Sequence, residues 1–323
     1  MNLLESLRYL AALQQHRHFG RAAQACHITQ PALSNAIRAL EAEFGVTIVR
    51  RGRQYEGLTP EGELALSHAH RMLHDAESLR QALASAVGAP QGQLQIGAVP
   101  SAMPVAVRFA ARLRQAQPGL RPVLRSLSSP EIEAGLDTLS LDLGLGYPRR
   151  PEVAQRRLTV WPQYNEHSFV LRQAADAAAP FALGAAIRWA EAAVLPLVLL
   201  TPEMHQRALV DDAFRQAGVM PAPVPVMQTN SVLALVLAVR AGRAGDGLAA
   251  VLPGALVDTV REQPGLLAQP LVAPVVSTPV AFLSNSAGQA TLALQAALAL
   301  AQSQHWLTEV GLHSGALADL ADP

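Results

Sequence analysis

The sequence has no lysine, a single cysteine and few aromatic residues. Because Cys26 stands alone among 323 residues, an internal disulfide bond is excluded and a reducing compartment is favoured. A lone thiol can serve as a redox sensor. Cys26, however, lies between two predicted helices beside small apolar residues, a setting typical of a buried and inert thiol.

Long apolar runs are also missing. The longest ones, Ala192–Leu200 and Val232–Val239, are shorter than the ~20 residues that a helix needs to cross a bilayer. The N-terminal segment carries Glu5 and has no small-residue cleavage pattern, which argues against a secretory signal peptide. These absences predict a cytoplasmic protein without membrane association.

Charge is sparse, because only 15% of the residues are charged and the formal net charge is zero. A protein that coats DNA along its whole length would be basic throughout, so that class is excluded. The charge is uneven, since residues 1–60 hold seven arginines against four glutamates, a net charge of +3. A chain of this length is expected to form about two or three domains, and the basic one is N-terminal.

The stretch from His18 to Glu43 has the pattern of a helix-turn-helix. Gly20–Ala25 predicts a short first helix, and residues 26–28 predict the turn. Thr29 is a favourable N-cap for a second helix that ends near Phe44.

This second helix is predicted to have one apolar and one polar face. The apolar residues recur at helical spacing and are Leu33, Ile37 and Leu40. On the other face, amides and hydroxyls suit base edges in a DNA major groove, and an arginine suits phosphate or guanine. The predicted DNA contacts are Thr29, Gln30, Pro31, Ala32, Ser34, Asn35 and Arg38. An ordinary small helical domain is the alternative, because this periodicity alone is common.

A two-stranded wing is predicted over Val46–Leu58. Its arginines, Arg50, Arg51 and Arg53, can reach backbone phosphate or the minor groove. A solvated surface loop is the alternative, but the position beside a predicted recognition helix favours DNA contact.

Residues 60–89 are predicted to form a long linker helix, with Thr59 as its cap and Pro60 in its first turn. It is expected to end near Val87, before glycine and proline residues. Small and apolar residues form a heptad seam: Ala65, Ala69, Met72, Ala76, Leu79, Leu83 and Ala86. We predict a dimer helix, because two heads on a two-fold axis read two half-sites. The alternative is a helix that lies on its own domain.

Residues 93–305 alternate between short apolar strands and helices, which predicts an α/β fold with a parallel sheet covered on both faces. The order of the strands predicts two subdomains, with bounds near 93–163 plus 269–305 and near 164–268. A last helix is predicted over Gly288–Leu307, and residues 306–323 are expected to form a frayed polar tail.

Several predicted helices begin with hydroxyl or amide residues directly after a strand. In an open α/β sheet these ends converge on the crevice where ligands bind, and free N–H groups there favour an anion. A site for a small organic anion is therefore predicted from Pro100, Ser101, Ala102, Ser128, Ser129, Thr201, His205, Thr229 and Asn230. Each hydroxyl taken alone could equally well serve only as a helix cap instead of binding a ligand. For His205, the alternative to ligand binding is a structural role.

Motifs for other chemistry are missing. The sequence has no G-x-S-x-G elbow, P-loop, H-E-x-x-H or C-x-x-C, so no catalytic residue, metal site or cofactor is predicted. An enzyme and a solute-binding transport protein on a two-lobed α/β fold stay as alternatives. The missing motifs argue against the enzyme, and the DNA-reading head and the missing signal peptide argue against the transport protein.

The stretches AAQACHITQPALSNAIRALEAEFGV and VRRGRQYEGLTPEG resemble the N-terminal domain of the LysR-type transcriptional regulators. The order of IGA, SLSSPEIEAGL and LDLGLG resembles the effector domain of the same family, which is built like a periplasmic binding protein. In this family, positions matching Ser101, Ser128 and Ser129 often touch the effector.

This resemblance implies a winged helix-turn-helix over residues 1–59, an inverted-repeat DNA operator, a small-molecule effector and a homodimer or homotetramer. It also allows RNA polymerase as a partner. The sequence of the head also resembles, more loosely, regulators found beside formate dehydrogenase genes, which makes formate one organic acid to consider.

Overall fold

The structure is a computed structural model that describes residues 2–51, 55–85, 90–242, 247–285 and 290–313. It consists of a helical head with a two-stranded wing, a long helix and a two-lobed α/β domain. The predicted fold class is confirmed.

In its described residues the head contains α1 (Leu3–His16), α2 (Phe19–Ala25), α3 (Gln30–Phe44), β1 (Val49–Arg51) and β2 (Tyr55–Leu58). The Thr29 hydroxyl accepts a hydrogen bond from the backbone N–H of Ala32 at 3.4 Å and so begins α3. Gly45 ends α3 with a φ of 68°, a left-handed conformation that favours glycine. The predicted helix-turn-helix is therefore confirmed.

The core of the head fixes the orientation of α3. Its predicted apolar residues Leu33, Ile37 and Leu40 are fully buried, together with Leu10 and Leu13 of α1. The Glu41 carboxylate accepts hydrogen bonds from the backbone N–H groups of Ile48 and Val49, at 3.0 and 3.1 Å. This carboxylate ties α3 to the wing, so both present their outer surfaces in a fixed relation.

The linker helix α4 spans Pro60–Ser85 in the described residues, and the predicted end at Val87 lies outside them. The Thr59 hydroxyl accepts from the backbone N–H of Gly62 at 3.0 Å. A Cβ atom on Gly62 would lie 2.1 Å from the carbonyl oxygen of Ile48, so the helix can approach the wing only with glycine here.

The predicted heptad seam divides into two parts. Ala69 is fully buried against the head, and Ala65 packs there as well. Further along, the large seam residues are exposed, by 42% for Met72, 61% for Leu79 and 66% for Leu83. The first part of α4 thus lies on its own domain, whereas the later part has an uncovered apolar stripe. Ala86 lies outside the described residues.

The first subdomain contains β3 (Gly92–Ala98), a 3₁₀ turn (Pro100–Ala102), α5 (Met103–Ala116), β4 (Leu120–Ser126), α6 (Ser129–Asp137), β5 (Leu143–Gly146) and α7 (Pro151–Gln155). Strand β6 (Thr159–Gln173) then passes into the second subdomain. That subdomain contains β7 (Ala182–Leu183), β8 (Ile187–Arg188), α8 (Trp189–Ala192), β9 (Leu197–Leu200), α9 (His205–Gln216), β10 (Met227–Thr229), α10 (Val232–Ala241), β11 (Ala249–Pro253), α11 (Gly254–Asp258) and β12 (Leu266–Val272). The chain returns through β13 (Ser277–Ser284), α12 (Leu292–Ala301) and α13 (Gln304–His313).

The sheet is mixed rather than parallel as predicted. Its order is β10-β9-β11-β6-β13-β5-β3-β4, and β12 pairs with β6, β7 and β8. The strand–helix–strand units pair in parallel, but β6 and β13 run antiparallel to their neighbours. The reason is that these two strands connect the subdomains directly, without a crossover helix of their own.

Both predicted subdomain bounds need correction. The first falls inside β6, which is one continuous strand: His167 pairs with β13, and Ser168 is the first residue to pair with β11. The second, near 269, falls inside β12, whose Leu271 and Val272 still pair with β8. The return to the first subdomain therefore follows Val272.

The predicted end of the chain is also wrong in the described residues. A single helix to Leu307 is not found, because α12 ends at Ala301 and α13 begins at Gln304, where the Ser303 hydroxyl accepts from the backbone N–H of Trp306 at 3.3 Å. Trp306 was expected in a frayed tail, but it is fully buried and its indole N–H donates to Gln163 Oε1 at 2.6 Å. Trp306 and Val310 of α13 thus belong to the core of the first subdomain.

Candidate functional site

The outer face of α3 carries the predicted DNA-contact residues. Because the opposite face is buried in the head, these side chains point to solvent: Gln30, Pro31, Ala32, Asn35 and Arg38 are exposed, and Ser34 is half-buried. Thr29 is exposed as well, although its hydroxyl oxygen already caps the helix. The Arg38 guanidinium donates to Asn35 Oδ1 at 3.5 Å, so an amide and a cation are adjacent. Such a pair suits a base edge and a phosphate of one groove.

The wing extends this surface. Arg50 on β1 is exposed. The Glu41 carboxylate of α3 binds the backbone of Ile48 and Val49 and so holds this strand beside α3. The side chain of Arg51 and the whole of Arg53 lie outside the described residues. In the part that the structure describes, the surface is therefore polar and basic, with no acidic side chain among the predicted contacts.

A cavity of about 240 Å³ lies between the two subdomains. Five of the predicted ligand residues line it: Pro100, Ser101, Ser128, Ser129 and His205. They come from the ends of β3 and β4 and from the start of α9, which agrees with the rule that such ends converge.

Four of the predicted ligand residues do not line this cavity: Ala102, Thr201, Thr229 and Asn230. Ala102 is fully buried in the first subdomain. Thr201 was expected to begin a helix, but α9 begins only at His205, and the Thr201 hydroxyl instead donates to Glu203 Oε1 at 2.7 Å. The Thr229 hydroxyl accepts from the backbone N–H of Ser231, which is the residue that caps α10.

Sequence reasoning missed Tyr147, which lines the cavity and directly follows β5. Its hydroxyl lies 2.8 Å from Ser101 Oγ and donates to Gln206 Oε1 at 2.7 Å. The centre of its ring lies 4.8 Å from that of His205, and the two ring planes are tilted by 56°. Burial, the largest cause, and the nearby Glu166 carboxyl raise the pKa of Tyr147 well above its usual value, although the hydrogen bond with Ser101 lowers it, so the phenol keeps its proton.

Arg150 was missed as well, although it follows the end of β5 as the rule requires. Its Nε donates to Glu133 Oε1 at 2.6 Å, and Glu133 is only 3% exposed. This bond and the Glu133 charge raise the pKa of Arg150 and keep it positive. Arg150 also lies 3.2 Å from Glu152, so the guanidinium reaches the cavity with its charge largely compensated.

The hydroxyls at α6 differ in what they can offer. The Ser128 hydroxyl donates to Glu131 Oε2 at 2.7 Å, and the Ser128 backbone N–H donates to the same oxygen at 2.8 Å. This N-terminus is therefore already occupied by a carboxylate of its own chain. The Ser129 hydroxyl, by contrast, is buried and has no hydrogen-bond partner among the described residues.

The start of α9 is the better place for an anion. Met204 precedes this twelve-residue helix and provides no side-chain cap, so the first backbone N–H groups have no side-chain acceptor. Burial, together with Arg150, lowers the pKa of His205, so its imidazole is neutral at neutral pH. Hydrogen bonding, rather than net charge, is what this end of the cavity supplies.

Two further buried groups lie where β6 crosses between the subdomains. Glu166 and Tyr164 are two residues apart on one face of this strand and are both buried, and the Tyr164 hydroxyl has no hydrogen-bond partner among the described residues. Burial raises the pKa of Glu166 to about 8, although the backbone of Ala255 favours its charged form. Burial and Glu166 also raise the pKa of Tyr164.

Within the described ranges, no group of three or more His, Cys, Asp or Glu residues is arranged to hold a metal ion. In the same ranges, every helix is too short or too polar to traverse a bilayer.

Comparison with known families gives two matches. Residues 4–63 match the family described as "Bacterial regulatory helix-turn-helix protein, lysR family", and residues 88–306 match the "LysR substrate binding domain". Together these matches cover the head and the α/β domain.

Curated relatives match less than half of the chain. The chain is 40% identical over 122 residues to the SDS degradation transcriptional activation protein of a Pseudomonas species, which is 38% of this chain and 40% of that protein. It is 34% identical over 140 residues to the DNA-binding transcriptional dual regulator OxyR of Escherichia coli, which is 43% and 46%. The chain thus spans about half the length of the curated relatives it matches. These relatives are transcriptional regulators and not enzymes.

Solved structures match along nearly the whole chain. A full-length OxyR variant from Pseudomonas aeruginosa has a TM-score of 0.62 at 25% identity, with 92% of this chain and 96% of that chain covered. CbnR complexed with its target DNA has a TM-score of 0.63 at 17% identity, with 92% and 99% covered, which shows the shared fold.

Proposed function

The chain belongs to the LysR family, and from this premise we propose that it is a transcriptional regulator that binds an inverted-repeat operator and responds to a small organic acid. The observation that carries the proposal is the outer face of α3, where polar side chains and Arg38 are exposed on a helix that is fixed by its buried face. The named relatives are described as regulators of transcription, which supports the same conclusion.

In this proposal α3 enters the major groove. Asn35 and Ser34 read base edges through their amide and hydroxyl groups, and Arg38 binds guanine or phosphate. Arg50, with the other wing arginines, binds the backbone, where contacts set affinity rather than sequence choice.

Two heads are needed to read an inverted repeat. We assign their pairing to the exposed stripe of α4, Met72, Leu79 and Leu83, which is uncovered in a single chain. A second copy would cover it, since helices with such a seam pack along each other. A homotetramer, as a pair of such dimers, is the assembly we propose.

The cavity between the subdomains is the proposed effector site. The uncapped start of α9 and the unpartnered Ser129 hydroxyl provide hydrogen-bond donors for a carboxylate, and the Arg150 guanidinium, whose charge Glu133 and Glu152 largely compensate, lines the same cavity. A volume of about 240 Å³ corresponds to roughly eight water molecules, at about 30 Å³ each. Formate would leave most of this space empty, so a larger acid fits better.

Some of the curated relatives are named as activators of hydrogen peroxide-inducible genes. Peroxide sensing by a thiol would need a reactive cysteine, and residues 90–313 contain none. Cys26 lies in the head, where burial raises the pKa of its thiol and makes the reactive thiolate scarcer. We therefore propose recognition of an organic acid rather than oxidation of a thiol. A regulator of this kind acts on chromosomal DNA, so we place it in the cytoplasm with RNA polymerase as a neighbouring partner.

Footprinting on the DNA upstream of the protein's own gene, with and without small carboxylates, tests the proposal. A protected inverted repeat that changes with one acid is the expected result. Protection that no acid changes would contradict the effector part, and no protection at all would contradict DNA binding.

A further inference from the structure

The cavity contains a chain of hydrogen bonds with a defined direction. The Tyr147 hydroxyl donates its proton to Gln206 Oε1 at 2.7 Å and lies 2.8 Å from Ser101 Oγ. A phenol has one proton, so a Tyr147 hydroxyl that donates to Gln206 can only accept from Ser101. All three residues are buried, by more than nine-tenths, and water does not easily replace these partners.

This direction decides what Ser101 can offer to a ligand. Its hydroxyl proton is committed to Tyr147, so only its lone pairs are left for a molecule in the cavity. A carboxylate oxygen has no proton to donate and therefore gains no hydrogen bond there. Ser101 instead selects a ligand group that carries an O–H or N–H.

Other parts of the cavity have the opposite character. The Ser129 hydroxyl is buried without a partner among the described residues and is free to donate. The start of α9 presents backbone N–H groups without a side-chain cap. Donors for a carboxylate and an acceptor for a hydroxyl thus line one small cavity.

We propose that the site takes a small 2-hydroxy carboxylic acid, whose carboxylate binds the donors at Ser129 and α9 and whose hydroxyl donates to Ser101. This inference rests on the proposed function and names the chemical class of its effector. Lactate, with six non-hydrogen atoms, fits a volume of about 240 Å³ with room to spare.

Calorimetry on the full-length protein with lactate and with propionate tests the proposal, because these acids differ by one hydroxyl. Both enantiomers of lactate are titrated. One correctly placed hydrogen bond predicts an affinity for the better lactate enantiomer that is about fivefold or more above that for propionate. We use the ratio of the two affinities because both acids carry a carboxylate, so any effect on carboxylate binding cancels.

Tyr147→Phe provides the critical variant. Without the phenol oxygen, the Ser101 proton is free to point at the ligand, so propionate binding should improve and the preference for lactate should fall to about twofold or less. Tyr164→Phe is the matched control, since it removes a neighbouring buried hydroxyl that has no partner among the described residues. It should leave the preference unchanged.

Each outcome is decisive. A preference for lactate that Tyr147→Phe alone abolishes supports the proposal. Equal binding, or a preference for propionate in the natural protein, overturns it and would mean that Gln206 presents its amide N–H₂ to Tyr147. If neither acid binds at millimolar concentration while operator binding is intact, this inference fails, and the footprinting with other carboxylates decides separately on the organic-acid effector. Loss of operator binding itself would overturn the proposed function.

Discussion

Replacing Glu166 by glutamine is expected to stabilise the α/β domain above neutral pH. Glu166 is buried, and burial strongly disfavours its charged form in the folded state, although the backbone of Ala255 favours that form. Glutamine has nearly the same shape and is neutral at every pH. The substitution therefore removes the unfavourable charge and leaves the packing intact.

The magnitude follows from the pKa, which burial raises from 4.5 to about 8. Below pH 4.5 the carboxyl is neutral in both states and contributes no difference. Between these two values the folded state holds a proton that the unfolded state has lost, so the free energy of unfolding falls as the pH rises. At about 1.4 kcal/mol per pH unit, the loss reaches about 5 kcal/mol at pH 8 and then stays constant.

Urea unfolding at several pH values, followed by tryptophan fluorescence, measures this effect. All three tryptophans, Trp161, Trp189 and Trp306, lie in the α/β domain, so the signal does not report on the head. The free energies of Glu166→Gln and the natural protein should agree near pH 4.5 and diverge towards pH 8. The exposed Glu262→Gln is the control and should show no such divergence. Parallel curves for Glu166→Gln would refute the reasoning.

Three further predictions concern other parts of the molecule. In operator titrations at two salt concentrations, Asn35→Ala should reduce the discrimination between bases at one base pair by about 1–3 kcal/mol. Arg50→Ala should weaken binding to all DNA sequences evenly and reduce the slope of log affinity against log salt concentration by about one. Unchanged affinity in both variants would contradict the proposed DNA surface. Trp306→Ala should lower the free energy of unfolding by about 3–5 kcal/mol in urea titrations, while a frayed tail would make it neutral. Leu79→Glu with Leu83→Glu should shift the sedimentation of the protein to a smaller species without unfolding it, because like charges would face each other across the seam; an unaltered species would exclude this pairing.

How far the sequence predicts this structure depends on how local each signal is. The helix-turn-helix was predicted to within a residue, because its caps and apolar spacing lie within one short stretch around Thr29. Tyr147 could not be predicted in the same way, since its role depends on Gln206, a residue 59 positions away. Thr201 shows the converse error. A hydroxyl at a strand end matches a helix cap in sequence, but the turn before α9 delays the helix to His205.

The end of the chain was mispredicted for a related reason. Pattern alone does not distinguish an amphipathic helix from a tail. Trp306 is buried by partners that are distant in sequence, since it donates to Gln163, 143 positions away, and packs against the ring of Phe109. The mixed sheet has the same origin, because the direction of β6 and β13 depends on how the subdomains join.

A short strand links the proposed effector cavity to the linker helix. Asp142 precedes β5 and Tyr147 follows it, so the two residues are about 17 Å apart at about 3.3 Å per residue. Asp142 accepts from the backbone N–H of Gln95 at 2.7 Å and lies 3.6 Å from His74 Nδ1 on α4, while Tyr147 bonds to Gln206 across the cavity.

Because a buried four-residue strand is stiff, a change in the arrangement of the subdomains at Tyr147 also moves the support of His74. The first turns of α4 are packed on the head through Ala69. This helix therefore contacts both the head and, through His74, the α/β domain, and a regulatory signal has to pass between these two parts. A ligand can use this connection only if it binds one arrangement of the subdomains more tightly than the other, which is why the contacts of Tyr147 with both of them matter more than the total affinity.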